Sequence, residues 1–397
     1  MSLFDAEQRR DSSPARHTES KYEFLNRVKS DYFGRTRDLL EAWYSAYPDD
    51  DGHLVTRFRA ANDRSHLAAF WELYLHAMYR SAGFDVEVHP TVDATSEKKP
   101  DFLIHGEQDF VVEARLIVSP AEQQADEART SQIYEALNQI DSPNFSLWAS
   151  VEAAGDQIPS LRDLRTTLEA WLASLDPDEV SIQYTNGEGW RSLPGWTWEA
   201  RGWRIGFQAI PKKQEARRRE GSRPLGVYGP GGVGVVDHHT PLTRTLKSKA
   251  PSRYGRFDQP FVTAVLSDIV GLDDEDVASA LFGSEAVRVT TQPDHDISTE
   301  WIRQPNGFWH GPVGFQNTRV TGVLIGRNLM PWSIARSAPR LWLNPYSQIT
   351  LAEEDRRPWS TALPDQEVGE MRFHEALTPA HDVAGVAEDW PGPEDLV

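Results

Sequence analysis

Apolar positions recur at helical spacing near the start of the chain. Phe24, Leu25, Val28, Tyr32, Phe33, Leu39, Leu40, Trp43 and Tyr44 predict one or two helices between residues 22 and 47. Pro48-Asp49-Asp50-Asp51-Gly52 ends them. Asn62 or Ser65 caps a further helix, whose stripe of Leu67, Phe70, Trp71, Tyr74, Ala77 and Met78 runs to Gly83. The period then shortens. DVEVHP at 85–90, PDFLIH at 100–105 and DFVVEARLIV at 109–118 read as strands, before a helix over about 121–140 and a strand FSLWASVE at 145–152. The predicted order is α, β, β, β, α, β.

Beyond Pro159 the pattern restarts. LRDLRTTLEAWLASL is an amphipathic helix, and GWTWEARGWRIGFQAI at 195–210 gives Trp-rich strands. Residues 211–240 form a basic, Gly/Pro-rich loop, and TPLTRTLK begins a helix. PFVTAVLSD at 260–268 has the unbroken apolar run of a buried strand. DEDVASALFG is a short helix closed by Gly283, and TRVTGVLIG and RLWLNP are late strands. The fold class is α/β. The division expected is a disordered tail at 1–20, N-terminal helices at 21–60, a core at 61–155, a mixed α/β extension at 156–352 and an acidic, loosely packed tail at 353–397. There is no internal repeat.

Composition narrows the chemistry. The 397 residues suffice for two or three domains. The absence of cysteine excludes disulfides and thiolate chemistry and restricts metal ligands to carboxylates, carbonyls and histidines. The polar N-terminus lacks the apolar stretch of a signal peptide, and no run approaches the ~20 apolar residues of a membrane span. A cytoplasmic protein is expected. The net charge of −19 repels nucleic acid at long range, but unevenly. Residues 201–256 hold thirteen Lys/Arg against three acids, a net +10 that leaves −29 for the rest. Within that zone Lys212, Lys213, Arg217, Arg218, Arg219, Arg223, Lys247, Lys249 and Arg253 are candidate contacts to a phosphate backbone, with Trp203 and Tyr228 nearby.

The candidate chemistry lies in KKPDFLIHGEQDFVVEARLI, which begins at Lys98. Alternate strand residues share a face, so Glu113 and Arg115 point the same way. A hairpin turning at His105-Gly106-Glu107-Gln108 places Asp101 beside them. Paired carboxylates in a dry site are costly unless they share a proton or a cation. Two or three oxygens with room for water suit Mg²⁺, which activates water and stabilises charge on phosphate.

With Glu72 on the preceding helix, Pro100-Asp101 at a strand start and Glu113-Ala114-Arg115 on the next strand, residues 62–152 resemble the PD-(D/E)XK (restriction-endonuclease-like) nuclease superfamily. The resemblance implies that Asp101 and Glu113 bind Mg²⁺ or Mn²⁺, that Glu72 is a further ligand or metal-water contact, and that the reaction is phosphodiester hydrolysis. DNA is the expected substrate ahead of RNA, a role in defence against foreign DNA is implied, and a homodimer would allow both strands to be cut. One position departs from the pattern: Arg115 stands where the superfamily has lysine. Arginine clamps phosphate but does not accept a proton. Lys99, beside Pro100, is a candidate substitute.

The alternative is a degenerate nuclease fold that binds nucleic acid or protein without cutting. Simpler readings also exist for each part. Glu113–Arg115 is equally the pattern of a structural ion pair, and Glu72 that of a solvated helix face. GPGGVG at 229–234 reads as a flexible turn: its sequence shows no convincing strand before it, VVDHH rather than a helix pattern after it, and no Lys-Ser/Thr to complete a phosphate loop. Asp237-His238-His239 sets two histidines on opposite faces, which disfavours one shared ion. No Gly-x-Ser-x-Gly elbow supports Ser-His-Asp hydrolysis.

Overall fold

The computed structural model describes residues 1–117, 121–187, 189–217, 224–229, 239–247, 251–269, 271–291, 297–365 and 370–395. The chain forms two compact units. One takes residues 1–14, 20–119 and 237–397, and the other takes 15–19 and 120–236.

The first unit begins with α1 (Lys21–Arg27), α2 (Asp31–Ser45), α3 (His53–Phe58) and α4 (Asp63–Ser81). A Ser20/Glu23 capping box starts α1, and Asn62 rather than Ser65 caps α4 by accepting from the Ser65 amide. From His66 to Tyr79 every residue of α4 but Ala68 is buried. It is therefore an interior helix, not a one-sided surface one. β1 (Asp85–Val88), β2 (Phe102–His105) and β3 (Phe110–Ile117) follow as an antiparallel meander.

The second unit carries α5 (Ala121–Leu137), β4 (Phe145–Ala153), α6 (Leu161–Ala173), α7 (Pro177–Asn186), β5 (Gly195–Ala200), β6 (Trp203–Pro211) and β7 (Leu225–Gly229). Its four strands lie in the order β5-β6-β4-β7 over a core of its own, with Ile133, Leu147, Leu164, Leu168, Ile205 and Phe207 inside.

The chain then returns to the first unit with α8 (His239–Lys247), β8 (Phe261–Ser267), α9 (Asp274–Phe282), the ribbon β9 (Glu285–Thr291) and β10 (Ile297–Arg303), and the short pair β11 (His310–Gly311) and β12 (Gly314–Phe315). β13 (Gly322–Arg327), β14 (Arg340–Leu343), β15 (Ser360–Pro364), β16 (Met371–His374) and α10 (Ala380–Ala384) complete it. One mixed eight-stranded sheet runs β1-β2-β3-β8-β13-β14-β15-β16, with β8 parallel to both β3 and β13. Alternate strand residues divide between two cores. Val112, Ala114, Val262 and Ala264 pack with α4, while Val111, Ile117, Phe261 and Val265 pack with α8 and α9. No helix among the described residues is long and apolar enough to cross a membrane.

Three expectations change. The helix and strand that follow β3 in sequence, α5 and β4, do not complete its sheet. They belong to the second unit, where β4 pairs with β6 and β7. The edge of β3 is taken by β8, whose seven residues are all buried. Residues 1–20 are not a free tail: Leu3 and Phe4 are buried in the α4 core, and the Phe4 amide donates to Glu41 Oε1 at 2.9 Å. The described residues of 353–397 are likewise structured. They supply β15, β16 and α10, and Trp359 and Ala362 among them are buried.

Candidate functional site

β2 and β3 pair Phe102 with Val112, so one further step of the register sets Asp101 opposite Glu113. The two strands are tied there by the Ala114 amide, which donates to Asp101 Oδ2 at 2.7 Å. Glu113 is 1% exposed. Burying a carboxylate this deeply demands a cation or strong donors. Arg115, two residues on and on the same face, supplies one: its Nη2 lies 2.8 Å from Glu113 Oε1. On the other side β8 sets buried Thr263 beside Glu113 and Val265 beside Arg115.

A residue far along the chain closes this group. Tyr254, 2% exposed, ends the turn Pro251–Tyr254 before β8. Its phenol is pushed well up, first by burial and then by the negative charge of Glu113 beside it and of Asp101 further off, so it stays protonated. That turn is fixed by Asp93 from the β1–β2 connection. Asp93 Oδ2 accepts from the Arg256 amide at 2.7 Å, and a Cβ on Gly255, at φ +90°, would lie 2.2 Å from the same oxygen. Hydrogen bonds from the Arg256 and Thr95 amides and the Thr95 hydroxyl hold Asp93 down to about 2.

Glu72 has a different partner. Its two oxygens take Arg57 Nη1 and Nη2 at 2.6 and 2.5 Å, a fork-to-fork pair between α4 and α3. Hydrogen bonding to Glu72 raises the Arg57 pKa, with Tyr47 and Asp101 adding to the shift. Tyr47 is pushed up by burial, then by Glu72 and Asp101. Asp101 is therefore within electrostatic reach of both groups. α4 is fixed at this level by the Trp71 indole, which donates to Ala264 O at 3.0 Å, and Ala264 is paired with Ala114.

The structure brings Asp101, Glu113 and Arg115 together, as the sequence suggests. It does not bring Glu72 into the same cluster: among the described residues no three carboxylate or imidazole groups gather as a metal-binding set. The reason is in the pleat. Glu113 lies on the sheet face of Val111 and Ile117, whereas α4 covers the opposite face. Arg57 and Tyr254 were not among the candidates read from the sequence. Arg57 lies on a six-residue helix after a turn, and Tyr254 is 141 positions beyond Glu113, so no local pattern exposes either. The one available signal for Arg57 was Asp49, which caps that helix by accepting from the Leu54 and Val55 amides.

The basic candidates divide between the two units. Lys99, Lys247 and Arg253 are exposed in the first, with Lys99 two residues before Asp101 and Arg253 next to Tyr254. Lys212, Lys213 and Arg217 belong to the second. Lys212 donates to Ser142 O at 2.9 Å and Arg217 pairs with Asp178 at 2.8 Å, while Lys213 is exposed. Arg218, Arg219, Arg223 and Lys249 lie outside the described residues, as do Asp237-His238 and the glycine-rich run after Gly229.

The donor set suits a hard cation. Asp101 and Glu113 offer oxygens only, and Mg²⁺ commonly takes one or two carboxylates and completes its shell with water and substrate phosphate. No family model, curated protein or solved structure matches this chain.

Proposed function

We propose that the chain is a metal-dependent nuclease of restriction-endonuclease-like fold, acting on the phosphodiester backbone of nucleic acid, DNA ahead of RNA. The observation that carries this reading is the apposition of Asp101 and buried Glu113 across two adjacent strands, with Arg115 at 2.8 Å. Element order supports it. Once 120–236 is treated as an insertion, α4, β1, β2, β3, α8 and β8 follow the α, β, β, β, α, β order of the resemblance.

Asp101 and Glu113 would hold Mg²⁺ or Mn²⁺. When bound, such an ion lowers the pKa of water and neutralises charge on a phosphate. The chain's own residues do the rest. Arg115 presents a guanidinium to a phosphate oxygen, and Tyr254 walls off the inner side of Glu113 as a neutral phenol. Lys99 and Arg253, exposed beside Asp101 and Tyr254, draw the backbone in. Glu72 acts through Arg57, keeping that cation near Asp101.

The Arg115–Glu113 contact favours a second reading. An arginine fixed on the carboxylate and unable to accept a proton suits a site that binds phosphate without cutting it. Metal binding tests the shared premise. Titration of the whole chain with Mn²⁺, followed by electron paramagnetic resonance, is expected to show a site lost in both Asp101→Asn and Glu113→Gln. Equal Mn²⁺ binding by wild type and both variants would remove this pair as the metal site.

A further inference from the structure

Four strands along from β3, the sheet borders a cavity of about 980 Å³ lined by α9, β10, the β11–β12 pair, β15 and β16. Its size is that of a small-molecule site. Aromatic rings form its walls. Phe315 stacks on Tyr346 with centroids 3.5 Å apart and planes at 15°, yet remains 57% exposed. Phe373 of β16, 45% exposed, also lines the cavity, with the Arg340 guanidinium over its ring at 4.8 Å, and Phe282 of the lining is buried. Two large exposed rings at the rim of one concavity form apolar surface that a folded chain rarely leaves bare.

The charge of the lining is one-sided. Five carboxylates border the cavity against one arginine and one histidine. Three are already answered. Asp274 receives Arg327 at 2.6 Å and Arg340 at 2.5 Å, Glu285 receives Arg303 at 2.8 Å, and Asp365 pairs with Arg372. Glu275 and Glu370 are exposed, and their side chains make no hydrogen bond or ion pair among the described residues. The arginine of the lining, Arg303, is occupied by Glu285 and Gly283 O. Among the described residues an anion therefore finds carboxylates with no ion pair and no free guanidinium in the lining. A cation with an apolar body finds ring faces and two open carboxylates, the combination that recognises alkylammonium groups.

We propose that this cavity binds an aliphatic ammonium ligand, its methylene chain against Phe315, Tyr346 and Phe373 and its charged ends on Glu275 and Glu370. The same chemistry is offered by a free polyamine or by lysine side chains of a peptide. The proposal is independent of the Asp101–Glu113 site.

Calorimetric titration of the full chain in physiological salt, with spermidine in one arm and a trilysine peptide in the other, tests it. Inorganic pyrophosphate serves as the anionic comparator. Saturable one-to-one binding is expected in at least one cationic arm, and which arm responds identifies the source. Glu275→Gln combined with Glu370→Gln, and separately Phe373→Ala, are each expected to weaken it about tenfold. All three positions are exposed, so the fold should survive, and a thermal melt confirms it. Glu388→Gln with Asp389→Asn removes equal charge from exposed positions outside the cavity lining and should leave affinity unchanged. The proposal is overturned by non-saturable binding, by preference for pyrophosphate, by indifference to the cavity variants, or by equal loss in the Glu388/Asp389 variant.

Discussion

Glu72 and Glu113 are both buried carboxylates, 7% and 1% exposed, and each is met by an arginine. Removing one member of such a pair strands the other. Glu72→Ala should lower stability by about 1–2 kcal/mol, less than for a fully dry pair because the Arg57 side chain is 38% exposed. A urea melt measures this, and Arg57→Met together with Glu72→Met should recover most of the loss. His76, one turn beyond Glu72 and edge-on to Tyr47 at 4.9 Å, gives a pH signature. Burial first, then the charge of Arg80, lowers its pKa to about 4. Its folded pKa lies below its unfolded value of about 6.5, so the unfolded chain takes the proton first. The stability it contributes is complete above pH 6.5 and is lost as pH falls toward 4, on the order of 2 kcal/mol. Denaturant melts between pH 7.5 and 4.5 should show that slope, and His76→Phe should reduce it. His66, also held low mainly by burial, would keep a remainder. At this scale the sequence was legible where chemistry is local. Strand alternation and hairpin length were enough to pair Asp101 with Glu113. Arg57 and Tyr254 were not legible, because each is brought to the site by packing between distant segments.

Elements were legible in kind but not in partnership. The runs at 85–90, 100–105 and 109–118 supply β1, β2 and β3 of the meander, and the apolar run at 260–268 supplies β8, buried from Phe261 to Ser267. Which strand would lie beside β3 could not be read locally. β4 is nearer in sequence and has alternating apolar residues, but that alternation suits a sheet with one covered face. β8 is apolar on both faces, as a strand between two cores must be. The β2–β3 turn also depends on a distant segment whose acidic, Pro-rich composition predicts only a loosely packed tail. Asp355, 1% exposed, accepts from the Glu107 and Gln108 amides at 2.8 and 2.9 Å. Asp355→Ala should therefore destabilise the hairpin that carries Asp101 and Glu113 by about 2 kcal/mol. Gly106→Ala should do similar damage, since its Cβ would come 2.1 Å from Asp355 Oδ1. Hydrogen exchange at the Glu107 and Gln108 amides would register both.

For the whole molecule, the inserted unit is the feature that sequence order concealed. The helices and strands of 120–236 are ordinary ones, and nothing in their pattern distinguishes a continuing domain from an inserted one. What separates them is the core: among the described residues, the buried cluster around Leu147, Leu164 and Phe207 draws on residues 133–209. A fragment spanning 120–236 should therefore unfold cooperatively by itself, as followed by tryptophan fluorescence in urea, and a featureless transition would refute that independence. The division also splits the basic candidates, leaving Lys99, Lys247 and Arg253 on the unit that carries Asp101 and Glu113. The chemistry proposed for that unit is decided by cleavage of labelled single- and double-stranded DNA and RNA with Mg²⁺ or Mn²⁺, comparing wild type with folded Asp101→Asn and Glu113→Gln. A metal held by Asp101 and Glu113 requires that wild type cut, strongest on DNA, and that cutting fall at least about a hundredfold in both variants. Cutting that survives both substitutions, or wild type that cuts no substrate with either metal, would contradict it.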